Sequence, residues 1–303
     1  KRQFNRYATY NGSSPYKTPG MMSLIQHLEN HYGTYIPVGG MHEISKSLYN
    51  LAKRIGVKFN FNSEITKLKI KNKKISYLEI NKTKRIEADY IISNVDTHHF
   101  YNKLLGKKIS HSSLKAERSS SAVIFYWCMK NTNTDLDLHN IFFASDYENE
   151  FRSIFEKKEL YEDPTVYVNI TSKDVKEDAP NNSENWFVMV NAPHNTNQNW
   201  DYEIKILKKA IIRKLEKILN INIKDKLIEE KIYSPLDLDK NTNSYLGSLY
   251  GTSSNDMFSS FLRHPNFSRK LKNVFFCGGS VHPGGGIPLC ILSSKITSEL
   301  IEN

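Results

Sequence analysis

Residues 273–293 read Asn273-Val-Phe-Phe-Cys-Gly-Gly-Ser-Val-His-Pro-Gly-Gly-Gly-Ile-Pro-Leu-Cys-Ile-Leu-Ser293. The short apolar run from Val274 to Cys277 has the length and residue types of a buried strand. It ends in Gly278 and Gly279, passes through His282-Pro283-Gly284-Gly285-Gly286, and continues as a helix over 288–302. Consecutive glycines let backbone approach a ligand with no side chain between them. A helix that starts at such a turn presents unpaired N–H groups and the positive end of its dipole. Together these suit an anionic or electron-rich ligand edge, such as a flavin C2 carbonyl or a phosphate. The pattern is not G-x-G-x-x-G, and it lacks the Gly-Lys-Ser/Thr ending of a P-loop. On its residues alone it serves either as a ligand cradle at a helix N-terminus or as a tight turn joining strand to helix.

Upstream, Gly39-Gly40-Met41 opens a helix in which Ile44, Leu48, Leu51, Ala52 and Ile55 fall at helical spacing, and Gly56 stops it. Residues 57–61 alternate as a strand. Strands over 64–71 and 74–81 flank a turn at Asn72-Lys73, and 90–94 is a short apolar strand of the buried kind. From Ser121 the composition changes: 122–129, 165–171 and 186–191 read as strands. Residues 203–219 form an amphipathic helix with Ile204, Leu207, Ala210, Ile211, Leu215 and Ile218 on one face and lysines on the other. Near the start, turn residues at 11–15 and 18–20 precede a helical stretch over 21–28. This order predicts a mixed α/β chain with a split domain. Its pieces are 36–105 and 265–303, the inserted segment is 106–264, and 1–35 goes with that insert.

The chain has 303 residues, 39% hydrophobic and 12% aromatic, which suits a folded protein with a sizeable core. Its net charge of +10 raises two partners, nucleic acid and an anionic membrane surface, and is equally accounted for by a chain rich in Lys, Asn and Ile throughout, with no partner implied. The lysines are scattered and no nucleic-acid-binding signature is present, so nucleic acid is not expected. Cys128, Cys277 and Cys290 form no C-x-x-C pair, which argues against a disulfide framework and a zinc site and fits a reducing cytoplasm. No apolar run reaches the ~18 residues of a spanning helix, so membrane contact is expected to be peripheral. The chain opens Lys1-Arg2-Gln3-Phe4, as if inside a domain, and is read as a fragment.

The glycine turn resembles the C-terminal flavin-binding signature of bacterial-type phytoene desaturases and related carotenoid desaturases, G-x-x-x-H-P-G-x-G-x-P, here running from Gly278 to Pro288. Four further segments are similar in the same order: Arg6 to Tyr16, Pro37-Val38-Gly39-Gly40-Met41, Ala88 to Asp96, and His139-Asn140-Ile141-Phe142-Phe143. Gly247-Ser248-Leu249-Tyr250-Gly251 is a fifth, so the resemblance covers essentially the whole chain. It implies an FAD-binding Rossmann-like domain of the amine-oxidase type, incomplete here, with an inserted substrate domain. It also implies FAD held by Gly278, Gly279, His282, Pro283, Gly284, Gly285, Gly286 and Ile287. Glu64 and Ile65 match the strand that passes the adenine, and Gly39, Gly40 and Met41 match a motif near cofactor and substrate. Family members begin with a βαβ unit carrying G-x-G-x-x-G, which this chain lacks. These residues alone are therefore expected to bind FAD poorly and to be inactive. Val38 departs from a usual Lys.

The implied chemistry is oxidation of a CH–CH bond: C=C bonds are introduced into an acyclic carotenoid by hydride transfer to flavin, in carotenoid biosynthesis. This explains why no nucleophile–base pair or metal motif stands out. His282 has a turn-stabilising or supporting role at least as readily as an acid/base one, and His98-His99 reads as a loop pair. Phe125-Tyr126-Trp127 and Phe142-Phe143 are candidates to line a polyene channel, with core packing as their other use. The turn and Glu117-Arg118-Ser119-Ser120-Ser121 look closer to hydroxycarotenoid 3,4-desaturases than to phytoene desaturases. An isomerase or oxygenase on the same scaffold and a non-catalytic carotenoid- or lipid-binding fragment are the rival readings. The substrate lies in the bilayer, so peripheral association with the inner face of the cell membrane is implied. Met21-Met22-Ser23-Leu24-Ile25 is the apolar candidate for that contact.

Overall fold

The structure, a computed structural model, describes residues 2–106, 111–256 and 263–302. Residues 107–110 and 257–262 of the expected insert, and the side chains of Met21 and Met22, lie outside the described residues.

After helices that include Leu24–Tyr32 and His42–Arg54, the first strands form a hairpin. β1 (Ile65–Lys71) and β2 (Lys74–Ile80) pair antiparallel around Asn72-Lys73, both at positive φ (49° and 58°). That geometry matches the twist of the flanking strands. β3 (Lys84–Ile86) adds to β2. β4 (Ile91–Ser93) then pairs in parallel with β10 (Val274–Phe276), so the last strand of the chain returns to one laid down early. The two strands, the hairpin and residues 97–105 enclose one core, with Phe100, Tyr101, Leu105, Leu271 and Phe276 at 2% exposure or less.

Between β4 and β10 lies an antiparallel sheet, in the order β6-β7-β8-β5-β9. Its strands are β5 (Ser121–Lys130), β6 (His139–Phe142), β7 (Val166–Asn169), β8 (Ser183–Ala192) and β9 (Leu227–Tyr233). Alternate residues of β5 (Val123, Phe125, Trp127, Met129) are buried with Leu207, Ile211 and Leu215 of the helix Trp200–Leu219. Fully burying each such side chain contributes about 1.5–3 kcal/mol.

Phe125 and Trp127 thus serve core packing, the second of the two uses their residue types allowed, and Trp127 also lines a groove of about 460 Å³ with Tyr126 and Phe187. Tyr126, between them, points to the other face of β5 and is 45% exposed. Phe142 and Phe143 pack partly buried against the two apolar clusters of this region.

Two further expectations change. Residues 57–61 are not a strand: they have no neighbouring strand to bond with, and an alternating run without one has no ladder to join. Val57 N instead closes the preceding helix by donating to Ala52 O at 2.9 Å, and Phe59 packs on Tyr49 with the rings tilted and their centroids 4.6 Å apart. That helix, His42–Arg54, has the predicted apolar period, yet none of its residues is buried. Among the described residues, no helix is long and apolar enough to cross a membrane.

Candidate functional site

The glycine turn leaves the carboxyl end of β10 and enters the helix Ile287–Glu302, beside the carboxyl end of the parallel strand β4. Ligands of open parallel sheets bind at this end of the strands. The helix packs on β10 through small polar residues: Ser293 and Thr297 are its buried positions. Ser293 Oγ accepts from Gly278 N at 3.1 Å, and Thr297 Oγ1 donates to Phe276 O at 2.7 Å. Asn266 clamps the far side, its Nδ2 donating to His282 O and to Ser293 Oγ, each at 2.9 Å. The His282-Pro283 peptide bond is cis.

The glycines divide by what stands behind them. Gly278 (φ +103°) backs onto the Asn94 side-chain oxygen, Gly284 onto the Arg263 guanidinium, and Gly285 onto the Tyr250 ring. A Cβ on any of the three would meet its neighbour at or inside close contact. Gly286 (φ +98°) differs: a Cβ there would stand in open space. Its carbonyl accepts the first helical bond, from Cys290 N at 2.9 Å, so bare backbone faces outward where the helix N–H groups begin.

Three buried polar groups hold this corner. Asp96 pairs with Arg118, both side chains 6% exposed, and Arg118 Nη2 also donates to Ser248 Oγ at 2.9 Å. Asp96 caps the short turn after β4 by accepting from His98 N at 2.8 Å, and Thr97 N donates to Ser280 Oγ of the glycine turn at 3.3 Å. His264 bonds Tyr101 OH at 3.0 Å through Nε2 and Pro265 O at 2.7 Å through Nδ1, the pattern of a neutral ring protonated on Nδ1. Burial, then the neighbouring His111, pushes its pKa down to about 4. Its backbone O accepts from His282 N at 2.9 Å, tying it to the turn.

Of the residues singled out from sequence, Gly278 and Gly284 to Gly286 form this corner. Gly279 sits against Gly285, where a Cβ would be 3.3 Å from its Cα. His282 and Ile287 are exposed, and Pro283 is half-buried. Glu64 and Ile65 line a separate cavity of about 350 Å³ with Ile91, Ser93, Asn94 and Phe100. Asn94 belongs to both places, so that cavity adjoins the turn. Gly39 (φ +86°) and Gly40 (φ +89°) form a local turn before the helix His42–Arg54, with Gly40 N donating to Pro37 O at 2.9 Å. Among the described residues, no hydrogen bond joins Gly39, Gly40 or the exposed Met41 to the glycine turn. Val38 is 98% exposed.

Sequence reasoning did not reach Arg263, Asn266 or Ser293 as parts of the site. They carry no motif; only proximity in space makes them partners. Asn94, Arg118 and Tyr250 stood inside segments quoted for their resemblance, without a role.

The sequence profile described as flavin containing amine oxidoreductase matches residues 2–301. The chain belongs to that family. The family agrees with the resemblance carried by the glycine turn and supports FAD as the cofactor. Within it, the chain is 51% identical to a 1-hydroxycarotenoid 3,4-desaturase of Flavobacterium sp. (strain P99-3), over 99% of this chain and 62% of that protein. It is 30% identical to a phytoene desaturase of Fusarium fujikuroi, over 99% of this chain and 57% of the other. The chain thus spans about three fifths of the length of these relatives. An oxidoreductase structure from Methanosarcina mazei superposes with a TM-score of 0.65 over 99% of this chain and 64% of that one; at 13% identity this shows the shared mixed α/β fold.

The residues present fit a flavin of this amine-oxidase type. Gly286 offers open backbone at the helix start, and the packed glycines let Asn94, Arg263 and Tyr250 close in behind the turn. Among the described residues, no group of three or more His, Cys, Asp or Glu is placed to hold a metal ion.

Proposed function

We propose that the protein is an FAD-dependent carotenoid desaturase that introduces C=C bonds into an acyclic carotenoid, with a 1-hydroxy carotenoid as the preferred substrate. The observation that carries this reading is the 51% identity to a 1-hydroxycarotenoid 3,4-desaturase along nearly the whole chain. Bound FAD would supply the hydride acceptor for dehydrogenation of a saturated C–C bond.

The chain's own part is placement. The open backbone at Gly286 and the first N–H groups of the C-terminal helix would hold a carbonyl edge of the ring, with the helix dipole favouring electron density there. Asn266, Ser293 and Thr297 keep the turn rigid, and the Asp96–Arg118 pair joins it to the start of β5. The substrate resides in a bilayer, so we place the protein peripherally at the inner face of the cell membrane. The net charge of +10 supports attraction to anionic lipid.

The test uses the protein in its full reading frame, with FAD and liposomes carrying phytoene or, separately, a 1-hydroxy carotenoid. New absorption bands at longer wavelength with the hydroxy carotenoid are expected. Bands with phytoene alone would reassign the substrate. Bound flavin with neither spectrum changed would overturn the desaturase reading and bring forward isomerase or oxygenase chemistry.

A further inference from the structure

Arg263 carries a charge that no described acidic residue answers with an ion pair. It is 7% exposed, and its guanidinium donates to two neutral oxygens, Tyr250 O and Ser254 Oγ, each at 3.1 Å. Among the described residues no ion pair includes it. The charged group that acts on it is a second arginine, Arg118, whose own charge is met by Asp96. Burial, then Arg118, lowers the Arg263 pKa to about 10, which leaves it cationic at neutral pH. A buried cation without a counter-charge is costly, and a ligand that brings the opposite charge relieves it.

The position says where that ligand charge would be. Nε and Cζ of Arg263 lie 3.2 and 3.3 Å from the point a Cβ on Gly284 would occupy. The guanidinium therefore rests directly on the glycine turn, two residues from the open backbone of Gly286. Anchored there by neutral oxygens, it would act on a charge held at the turn through a poorly screened interior.

We infer that Arg263 is the built-in counter-charge for the negative charge that appears on the flavin ring when it is reduced. A hydride brings two electrons and one proton, so a ring that takes up no second proton is left with one negative charge, and Arg263 favours that form over the oxidised one. This rests on the flavin reading above and adds an electrostatic residue to it. Arg263 supports the cofactor electrostatically and need not touch substrate.

The experiment uses the protein in its full reading frame, loaded with FAD. The two-electron midpoint potential is measured by dye equilibration, and affinity for oxidised FAD by fluorescence, in wild type, Arg263→Gln and Arg263→Lys. Loss of the charge in Arg263→Gln is expected to weaken the reduced form at least tenfold relative to the oxidised one, a fall of about 30 mV or more. Arg263→Lys, which keeps the charge, stays within that margin of wild type. An unchanged potential in Arg263→Gln overturns the inference, and equal weakening of both redox forms would move Arg263 to a phosphate of the cofactor. Should Arg263→Gln not fold, Arg263→Lys beside wild type still tests the inference. In mildly acidic buffer, where free reduced flavin takes a second proton, a potential falling about 30 mV per pH unit shows the ring held anionic. A slope twice as steep refutes the inference. Wild type that binds no FAD at all would instead sink the flavin reading itself.

Discussion

The ring of Tyr250 fills the space that a side chain at Gly285 would need: a Cβ there would stand 2.6 Å from Tyr250 Cδ1 and 3.1 Å from its Cβ. Tyr250 has little freedom to withdraw. Its N donates to Ser119 Oγ at 3.0 Å, and its carbonyl accepts from Arg263 Nη1 at 3.1 Å. The close approach of the 250 loop to the turn thus depends on the missing side chain.

Gly285→Ala is expected to cost about 1–3 kcal/mol, the range for overpacking a tight site, and to weaken FAD binding by the full reading frame tenfold or more. Gly286→Ala meets nothing, so its stability cost comes from its positive φ alone, yet it places a methyl where the ring would approach. Urea denaturation of each variant beside FAD titration separates the two effects. Normal FAD affinity in Gly286→Ala would remove that backbone from the cofactor site.

The Asp96–Arg118 pair is buried on both sides, and breaking such a pair leaves one charge stranded. Asp96→Leu or Arg118→Met is expected to destabilise the chain by about 3–5 kcal/mol, while the double variant Asp96→Leu/Arg118→Met recovers most of that. Equilibrium unfolding of the four proteins gives the cycle. Additive losses in the double variant would show that the pair acts through its other partners, Ser248 and the His98 cap.

Much of this fold is written in local pattern. The turn at Asn72-Lys73, the buried run of β10 and the long lysine-faced helix each follow from period and turn chemistry within a short window. The strand β9 was not legible because its burial is uneven, with Glu229, Glu230 and Lys231 interrupting any alternation. The C-terminal helix inverts the usual rule: Ser293 and Thr297 face the sheet while Ile287, Ile291 and Leu292 are exposed. Apolar periodicity finds helices but cannot say which face a hydrogen-bonded glycine turn demands. The site was half legible for the same reason. Glycines announce themselves in sequence, whereas Arg263 and Asn266 matter only through what folds against them.

His194 and His264 are both pushed down to about 4 from the ordinary 6.5, in each case chiefly by burial. Folded, they stay neutral; unfolded, they take up protons near pH 6.5. Stability therefore falls as pH drops from about 6.5 towards 4, by up to about 1.4 kcal/mol per pH unit for each histidine. Their contribution is complete above that window. His264→Gln should reduce the steepness by as much as one proton's worth, read from urea midpoints across the range. Parallel profiles for wild type and variant would mean that the His264 ring charges within the fold.

The helix His42–Arg54 offers the sharpest conflict between pattern and packing. Its apolar period is regular, yet Leu48 and Leu51 are 55% and 43% exposed, and Ile55 just beyond it is 72% exposed. Side chains that bury little lose little when removed. Leu48→Gln and Leu51→Gln should each change the stability of this 303-residue chain by no more than about 0.5 kcal/mol, the scale of ordinary surface substitutions. A core position of the same type would cost about 2–5 kcal/mol on truncation, so unfolding midpoints distinguish the two cases readily. A loss above about 1 kcal/mol at either position would mean that the stripe is buried in solution.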